Sequence, residues 1–228
     1  MKLFSSLADV LLPRYCKVCS RRLSTGEQHL CAPCRLSLPV LPYDSSIMNP
    51  VEQVLLAEPR LVRAASYFRY DKESGYSRIL YHMKYYGHPA IGSDLAFQAA
   101  LELKAKGFFD GIDLIVPVPL SKRKQRMRGY NQCDFIARGL SLATGIPINA
   151  EAVARKVSNR RQAGQGRYQR WTNAAGIFCV SDCAAVGGRH ILLVDDVVTT
   201  GATLLSLMDT LTRAADVSIS VFTLASAV

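Results

Sequence analysis

The sequence has no long hydrophobic run and no leader that we recognise. No apolar stretch approaches the roughly 20 residues that a membrane-spanning helix needs, although 49% of the residues are hydrophobic. Residues 1–13 carry Asp9 inside their apolar stretch and lack a small-residue cleavage site, which argues against a secretory signal peptide. The spacing of Leu3, Leu7 and Leu11 predicts a short packing helix there instead. These absences predict a cytoplasmic protein without a membrane span.

Acidic residues are also scarce, and disulfides are not expected. The 228 residues include 18 acidic and 28 basic side chains, which gives a formal net charge of +10. Such an excess attracts anions: phosphorylated small molecules, nucleic acid or a membrane surface. Seven cysteines are present, but cytoplasmic proteins rarely keep disulfides. Three of them, Cys133, Cys179 and Cys183, are scattered, and we predict that they are small buried hydrophobic side chains.

The other four cysteines are regularly spaced, in "CKVC" at residues 16–19 and "CAPC" at residues 31–34. Two C-x-x-C turns separated by eleven residues can wrap four thiolates tetrahedrally around a metal. The pattern therefore predicts one structural Zn²⁺, held by Cys16, Cys19, Cys31 and Cys34. An iron–sulfur cluster is one alternative, because four cysteines also hold such clusters. Structural thiols without a metal are another, although cytosolic cysteines rarely have such regular spacing.

Hydrophobic patterns divide the chain into two predicted domains. Residues 1–50 form a small zinc-knuckle domain that ends in a proline-containing connector, and residues 51–228 form the larger domain. Strands are predicted in "LVRAASYFRY", "IDLIVPVPL", "HILLVD" and "VSISVFTLA". Helices are predicted in "GYSRILYHMKYYG", "SDLAFQAALELKAKG", "NQCDFIARGLSLATG" and "ATLLSLMDTLTRAA". This alternation predicts an α/β fold with a mostly parallel sheet flanked by helices.

The stretch "ILLVDDVVTTGAT", residues 191–203, carries the clearest functional pattern. Asp195 and Asp196 are predicted at the carboxyl end of a buried strand, where open parallel sheets bind ligands. The next helix start offers unpaired backbone N–H groups to a phosphate, and the carboxylates accept hydrogen bonds from sugar hydroxyls. The pattern therefore predicts a ribose 5-phosphate, although an ordinary turn capped by Asp and Thr is the alternative. The predicted phosphate ligands are Thr199, Thr200, Gly201, Ala202 and Thr203.

This stretch resembles the phosphoribosyl pyrophosphate (PRPP) binding motif of type I phosphoribosyltransferases. The resemblance implies that Asp195 and Asp196 hold the ribose hydroxyls, that residues 199–203 cradle the 5-phosphate, and that Mg²⁺ arrives on the pyrophosphate. The chain lacks the G-x-x-x-x-G-K-[ST] pattern of nucleoside-triphosphate loops. In 6-oxopurine transferases an aspartate that acts on the base follows the acid pair after two residues. Here that position is Thr199, which argues against hypoxanthine or guanine as the acceptor.

Further segments resemble the ComF/GntX family, which joins an N-terminal zinc finger to a phosphoribosyltransferase-like domain. They are "CKVC…CAPC", "YHMKYYG", "VPVPLSKRKQRMRGYNQ" and "RRQAGQGRYQRWTNAAGIF", so the likeness covers nearly the whole chain. The family is associated with competence for DNA uptake. The resemblance implies a phosphoribosyltransferase with an unknown acceptor. The alternative is a non-catalytic adaptor that senses PRPP or a nucleotide and binds single-stranded DNA and a competence-machinery protein.

Basic residues are concentrated in two segments without acids, residues 121–130 and residues 155–170. The first holds Lys122, Arg123, Lys124, Arg126 and Arg128; the second holds Arg155, Lys156, Arg160, Arg161, Arg167 and Arg170. Positive charge is needed where the charge of departing pyrophosphate builds up. The resemblance implies a pyrophosphate loop at residues 121–130, where Lys122 and Arg128 are our catalytic candidates, and residues 157–170 are predicted to be a mobile hood.

Two other interpretations of the basic segments stay open. They are solvated loops, or they bind single-stranded DNA, with Tyr130, Tyr168 and Trp171 stacking on bases. A related choice concerns Lys84 in "YHMKYYG". The family places a lysine there, near the site, but a surface lysine that extends into solvent fits the pattern equally well.

Overall fold

The computed structural model describes residues 13–156 and 176–228. The predicted N-terminal packing helix lies outside the described residues, as do the predicted hood, Tyr168 and Trp171. The helices are α1 (Ala32–Leu36), α2 (Pro50–Leu55), α3 (Ser77–Tyr85), α4 (Ala90–Lys104), α5 (Lys122–Arg128), α6 (Gln132–Thr144), α7 (Cys183–Val186) and α8 (Ala202–Ala214). The strands are β1 (Leu61–Arg69), β2 (Leu114–Pro117), β3 (Val153–Arg155), β4 (Phe178–Val180), β5 (His190–Val198) and β6 (Ser218–Ser226).

The main sheet has four strands in the order β1-β6-β5-β2, and all three neighbouring pairs are parallel. Its central strands are apolar because both faces of the sheet are covered by helices. In β5, Leu192 and Val194 pack with α4 and α6 on one face. Ile191 and Leu193 pack with α8 on the other face. The predicted α/β fold, with a parallel sheet flanked by helices, is confirmed.

The cysteine knuckle, residues 16–34, packs directly on the helical layer beside the sheet. Val18 and Leu30 belong to the same hydrophobic cluster as Ile79 and Met83 of α3. This core therefore continues from the knuckle into the larger part of the chain. Within the described residues, no helix is long and apolar enough to cross a membrane.

The structure differs from the predictions at several element ends. Strand β5 continues past the acid pair to Val198, because the residues after the acids still pair with β6. Segment 121–130, predicted to be a loop, contains α5, which begins after the capping hydroxyl of Ser121 and ends at Gly129 with φ of 80°. Helix α2 falls at the predicted domain boundary, where a capping box joins Asn49 and Glu52.

The prediction that the three scattered cysteines are buried is correct for Cys133 and wrong for Cys183. Cys133 is 1% exposed at the start of α6. Cys183 is exposed and Cys179 is partly buried. These two lie on the short α7 and on the small β3–β4 hairpin, elements too short to bury every apolar side chain.

Candidate functional site

A shallow cup follows β5 at the edge of the main sheet. It has a volume of about 50 Å³ and opens where β5 passes into α8. Its lining residues are Asp195, Val197, Val198, Thr199, Thr200, Gly201, Ala202, Thr203 and Leu204. We call the turn at residues 198–204 the phosphate cup. It contains every residue that the sequence predicted to hold the 5-phosphate.

The start of α8 presents backbone donors to this cup. Among the described residues, no side chain caps the helix at Gly201, so its first N–H groups have no intrahelical or side-chain acceptor. Thr199, Thr200 and Thr203 are exposed, so their hydroxyls are available beside those N–H groups. A helix start with free N–H groups carries positive partial charge and is suited to an anion.

Gly201 is required for two separate reasons. Its φ is +69°, a left-handed conformation that other residues rarely adopt. A Cβ placed there would also lie 2.6 Å from Val54 Cγ1 and 3.1 Å from Leu55 Cδ2, so α2 packs against the bare backbone of the cup. The helix that the sequence did not predict therefore shapes the predicted phosphate loop.

The two acids of the pair have different surroundings. Asp195 lines the cup, whereas Asp196 is buried below it and only 4% exposed. Both carboxylate oxygens of Asp196 are engaged: Lys84 Nζ lies 2.9 Å from Oδ1, and Gln132 Nε2 donates to Oδ2 at 2.5 Å. Asp195 is therefore the acid positioned to meet a ligand, and Asp196 is held in place beneath it.

Asp195 is held from behind by two donors. Its Oδ1 accepts the Asp196 backbone N–H at 2.8 Å and the Cys133 thiol at 3.4 Å. Burial, and then the neighbouring Asp196 carboxylate, raise the pKa of Asp195 to about 7. Burial also raises the pKa of the Cys133 thiol, followed by the charge of Asp195. The thiol therefore stays protonated and acts as a donor to the carboxylate.

Arg128 reaches the acid pair through Gln132. Its Nη1 donates to Gln132 Oε1 at 2.6 Å, and its guanidinium lies 5.0 Å from the centre of the Tyr85 ring. The same Gln132 side chain donates to Asp196, so a polar chain runs from Arg128 through Gln132 to Asp196. Lys122, the other catalytic candidate, is exposed at the first turn of α5. The structure places it on the same helix as Arg128, but outside this chain of hydrogen bonds.

Tyr130, one of the tyrosines predicted to stack on bases, is half-buried in the structure. Its hydroxyl donates to Met83 O at 2.7 Å, and its ring packs edge-on against Phe135 at 5.9 Å. Three tyrosines on α3 and just after it are open to solvent: Tyr81, Tyr85 and Tyr86, which are 44%, 57% and 66% exposed. Lys84 lies among them, and its side chain turns inward to form the ion pair with Asp196 instead of extending into solvent.

The four knuckle cysteines meet in one place. The sulfurs of Cys16, Cys19, Cys31 and Cys34 all lie within 4.8 Å of one another. A hydrogen bond from Lys17 N in the first turn to His29 O, two residues before the second turn, ties the two parts of the knuckle together at 2.9 Å. Four converging sulfurs are the donor set of a closed, structural metal site.

The thiols of the cluster differ in acidity. Burial raises the pKa of Cys16, but backbone N–H groups of the two turns outweigh it and lower that pKa to about 7. Burial raises the pKa of Cys31 and, more strongly, that of Cys34, where the other thiols add to the effect. A bound cation would reverse these increases, because metal ligation removes the thiol proton.

Sequence reasoning missed Gln132 and Cys133 as parts of the site. Both stand in the first turn of α6, after the N-cap Asn131, and point to the acid pair. A signal was present, because Gln132 ends the "RGYNQ" element on which the family resemblance partly depends. The pattern could not show which of its side chains contacts the acids.

These features define a parallel α/β protein with a small cup at the carboxyl edge of its sheet and an N-terminal cluster of four cysteines. No protein-family model matches the chain. The DNA utilization protein YhgH of Escherichia coli (strain K12) is 31% identical over 215 residues, which cover 92% of this chain and 88% of that protein. Competence protein F of Haemophilus influenzae is 34% identical over 116 residues, covering 50% of this chain and 51% of that protein. The chain belongs to the ComF/YhgH family, as its motifs predicted.

Solved structures of phosphoribosyltransferases share part of the fold. Adenine phosphoribosyltransferase from Leishmania donovani has a TM-score of 0.37 and 15% identity, covering 66% of this chain and 68% of that one. Glutamine PRPP amidotransferase from B. subtilis has a TM-score of 0.40 and 19% identity, covering 59% of this chain and 26% of that one. Both scores are low, and no function of this chain rests on them.

Proposed function

We propose that the protein binds PRPP at the phosphate cup and transfers its phosphoribosyl group to an acceptor. The observation that carries the proposal is the juxtaposition of a carboxyl group, that of Asp195, with a phosphate seat. Asp195 and the start of α8 line the same small cup. An ionised carboxylate repels phosphate. A carboxylate beside a phosphate seat therefore suits a ligand that carries a phosphate and, a few ångströms away, hydroxyl donors. A ribose 5-phosphate has that arrangement.

The two acids have separate tasks in this proposal. Asp195, which lines the cup, accepts hydrogen bonds from the ribose hydroxyls. Asp196 is fully engaged by Lys84 and Gln132, so it fixes the position and charge of its neighbour. Mg²⁺ is expected to arrive bound to the pyrophosphate and to neutralise charge on the leaving group. The basic helix α5 begins a few residues after β2, which lies next to β5, and supplies further positive charge on that side.

The acceptor is expected to be other than a 6-oxopurine. Thr199 is an exposed residue of the cup, and a hydroxyl at this position cannot serve as the general base that an aspartate provides. The proposal therefore assigns the chain to phosphoribosyl transfer without a base-activating carboxylate in the cup.

Calorimetric titration with PRPP and Mg²⁺, followed by an assay of pyrophosphate release against bases, amines and single-stranded DNA, tests the proposal. Wild-type protein should bind PRPP, and Asp195→Asn should weaken the affinity about tenfold or more, as expected when a charge-assisted hydrogen bond is removed. Asp209→Asn is the control, because Asp209 lies on α8 and pairs with Arg213 at the surface. Equal PRPP affinity of Asp195→Asn and the wild type would refute the ribose-binding role.

The four-cysteine cluster is proposed to hold Zn²⁺. The convergence of four sulfurs within 4.8 Å supports a metal ion with tetrahedral coordination by four thiolates. Zinc is the common metal of such structural sites. Elemental analysis of purified protein should find one zinc per chain. Iron with visible absorbance would support the iron–sulfur alternative instead.

A second candidate function, single-stranded DNA binding, is favoured by one surface. Five of the seven residues of α5, "KRKQRMR", are basic. The guanidinium of Arg128 stacks on Tyr85, beside the exposed rings of Tyr81 and Tyr86. Cations next to exposed aromatic rings suit the backbone and bases of a single strand. The YhgH relative is a DNA utilization protein by name, which agrees with this candidate.

Fluorescence anisotropy with a labelled oligothymidine measures this binding, and a duplex of the same length is the control ligand. Tyr85→Ala should weaken binding by about 1–3 kcal/mol if a base stacks on that ring. The same variant should leave the duplex affinity unchanged, because paired bases cannot reach the ring. Equal losses for both ligands would show that Tyr85 only supports Arg128.

A further inference from the structure

We propose that helix α3 couples the cysteine knuckle to the ligand site: the knuckle fixes one end of α3, and the other end fixes Lys84 against Asp196. The inference rests on the proposed function, because it takes the knuckle to hold Zn²⁺ and the cup to bind PRPP. It adds a dependence of ligand affinity on a metal site that does not contact the ligand.

The beginning of α3 is anchored to both turns of the knuckle. The Tyr76 hydroxyl donates to the carbonyl of Cys34 at 3.2 Å, and Arg78 Nη1 donates to the carbonyl of Val18 at 3.1 Å. Val18 lies inside the first C-x-x-C turn and Cys34 ends the second. Gly75 lies beside Val18, whose Cγ1 would be 3.4 Å from a Cβ placed at Gly75. A metal that fixes the two turns to each other therefore fixes both anchors of α3.

The end of α3 is tied to the site by consecutive residues. Lys84 Nζ lies 2.9 Å from Asp196 Oδ1. The carbonyl of the preceding Met83 accepts the Tyr130 hydroxyl at 2.7 Å. Met83 is fully buried, and its Cε would lie 2.6 Å from a Cβ at Gly92, so α4 packs closely over it. These interactions leave little freedom to the residues that place Lys84.

The helix between these ends is short and stiff. Arg78 and Lys84 are six residues apart, which corresponds to about 9 Å along an α-helix. Asp196 is only 4% exposed, so a shift of Lys84 away from it would leave a buried carboxylate without its cation. A buried carboxylate without its cation is costly, so Asp196 would move after Lys84. The backbone N–H of Asp196 holds Asp195 at the cup. Loosening of the knuckle should therefore reach the acid that meets the ligand.

The test uses a variant that keeps all four cysteines. The full-length double variant Tyr76→Phe, Arg78→Met removes the two anchors, and its zinc content and cooperative thermal transition are checked first. Its affinity for PRPP with Mg²⁺, measured by calorimetry, should fall about tenfold. Asp94→Asn is the matched control, because Asp94 links Arg35 of the knuckle region to α4 instead of α3 at 2.6 Å. That variant should keep wild-type affinity.

A second measurement needs no ligand. Lys84 has a side chain only 19% exposed, so it should react with an amine-acylating reagent more slowly than the exposed Lys122 does. Mass spectrometry follows the acylation of Lys84, with Lys122 as the internal reference. In the zinc-loaded double variant, the rate of acylation of Lys84 should rise at least about threefold. If the wild type fails to bind PRPP, the proposed function is wrong, and the acylation rate still decides the coupling.

The double-variant cycle completes the test. Lys84→Met should lower PRPP affinity, and adding Tyr76→Phe and Arg78→Met to it should cause little further reduction, because both changes act through one ion pair. Two results would overturn the proposal. One is a zinc-loaded anchor variant with wild-type acylation at Lys84; the other is fully additive reductions of affinity in the combined variant.

Discussion

The cysteine knuckle and the phosphate cup are both short, recognisable stretches of sequence, but they differ in how complete each is by itself. The knuckle takes all four of its cysteines from residues 16–34. The cup takes its backbone from residues 198–204, yet the acids beside it depend on Lys84 and Gln132 from other helices. A metal site can therefore be complete locally, whereas a buried charge needs partners that only the fold can bring.

The difference also concerns stability. If the knuckle holds Zn²⁺ as proposed, four thiolates and the cation neutralise one another, so metal binding stabilises the folded knuckle. The cup holds an acid whose pKa is raised to about 7 by burial and by its neighbour. Such a group destabilises the empty protein when it is charged. We infer that the knuckle is built to hold its ligand permanently and that the cup is built to exchange it.

The largest effect is expected when the knuckle loses a ligand. Cys31→Ser removes a sulfur that is 1% exposed, so metal binding should fail. The melting temperature should then drop by about 10 °C or more. Cys183→Ser is the control, because Cys183 is exposed and outside the cluster. Differential scanning calorimetry with elemental analysis measures both. A Cys31→Ser protein with full zinc and an unchanged melting temperature would show that the knuckle is not a self-contained metal site.

The acid pair should give effects of opposite sign. Asp196→Ala leaves Lys84 and Gln132 without their partner and should cost about 3–5 kcal/mol of unfolding free energy. Asp195→Asn should instead stabilise the empty protein. Because folding raises the pKa of Asp195 from 3.8 to about 7, its contribution to stability is lost as the pH rises through that range.

Urea unfolding across the pH range measures this difference. The stabilisation by Asp195→Asn should be near zero below the unfolded pKa of 3.8, grow with pH, and level off above about 7. In the wild type, PRPP affinity should rise with pH over this range as Asp195 ionises. In Asp195→Asn this increase should be absent. If both variants destabilised equally at every pH, the two acids would not have separate tasks.

A smaller effect should come from the shape of the cup. Gly201→Ala forces a side chain into a φ of +69° and toward Val54 Cγ1 at 2.6 Å. Gly145→Ala is a matched control, because its φ is +81° but nothing lies within 4 Å of its Cβ. The control should be destabilised by about 1–2 kcal/mol, and Gly201→Ala should be destabilised more and also bind PRPP weakly. Equal destabilisation in chemical unfolding would mean that α2 moves aside without cost.

The smallest effect should come from the exposed cations of α5. Replacing Lys122 and Arg126 by Gln should flatten the log–log salt dependence of oligothymidine affinity by about 0.7 for each phosphate that these two side chains neutralise in the wild type. Lys72→Gln is the control, an exposed cation outside α5. Neither change should alter the melting temperature measurably, since the replaced side chains are exposed. An unchanged slope would exclude α5 from the DNA surface.

Local patterns predicted much of the fold. The apolar run of β5 and the i, i+3, i+4, i+7 spacing in α8 indicated both elements, although β5 ends later than predicted. Helix α5 was missed because it has no apolar face: its residues are basic or exposed, and only Ser121 and Gly129 mark its ends. The predicted division near residue 50 and the cytoplasmic location stay predictions.

The sequence by itself determined the two features whose chemistry is local. The spacing of the cysteines predicted the cluster, because ligands on two tight turns meet whatever the rest of the chain does. The residues from Asp195 to Thr203 predicted the cup, because a strand followed at once by a helix start places acids and free N–H groups close together. The packing of α2 against Gly201, which completes its shape, was not predicted. Only the tertiary structure decided which acid lines the cup and which is paired. Lys84 and Gln132 are remote in sequence from Asp196, and packing of α3 and α6 on the sheet brings their charges and dipoles to it.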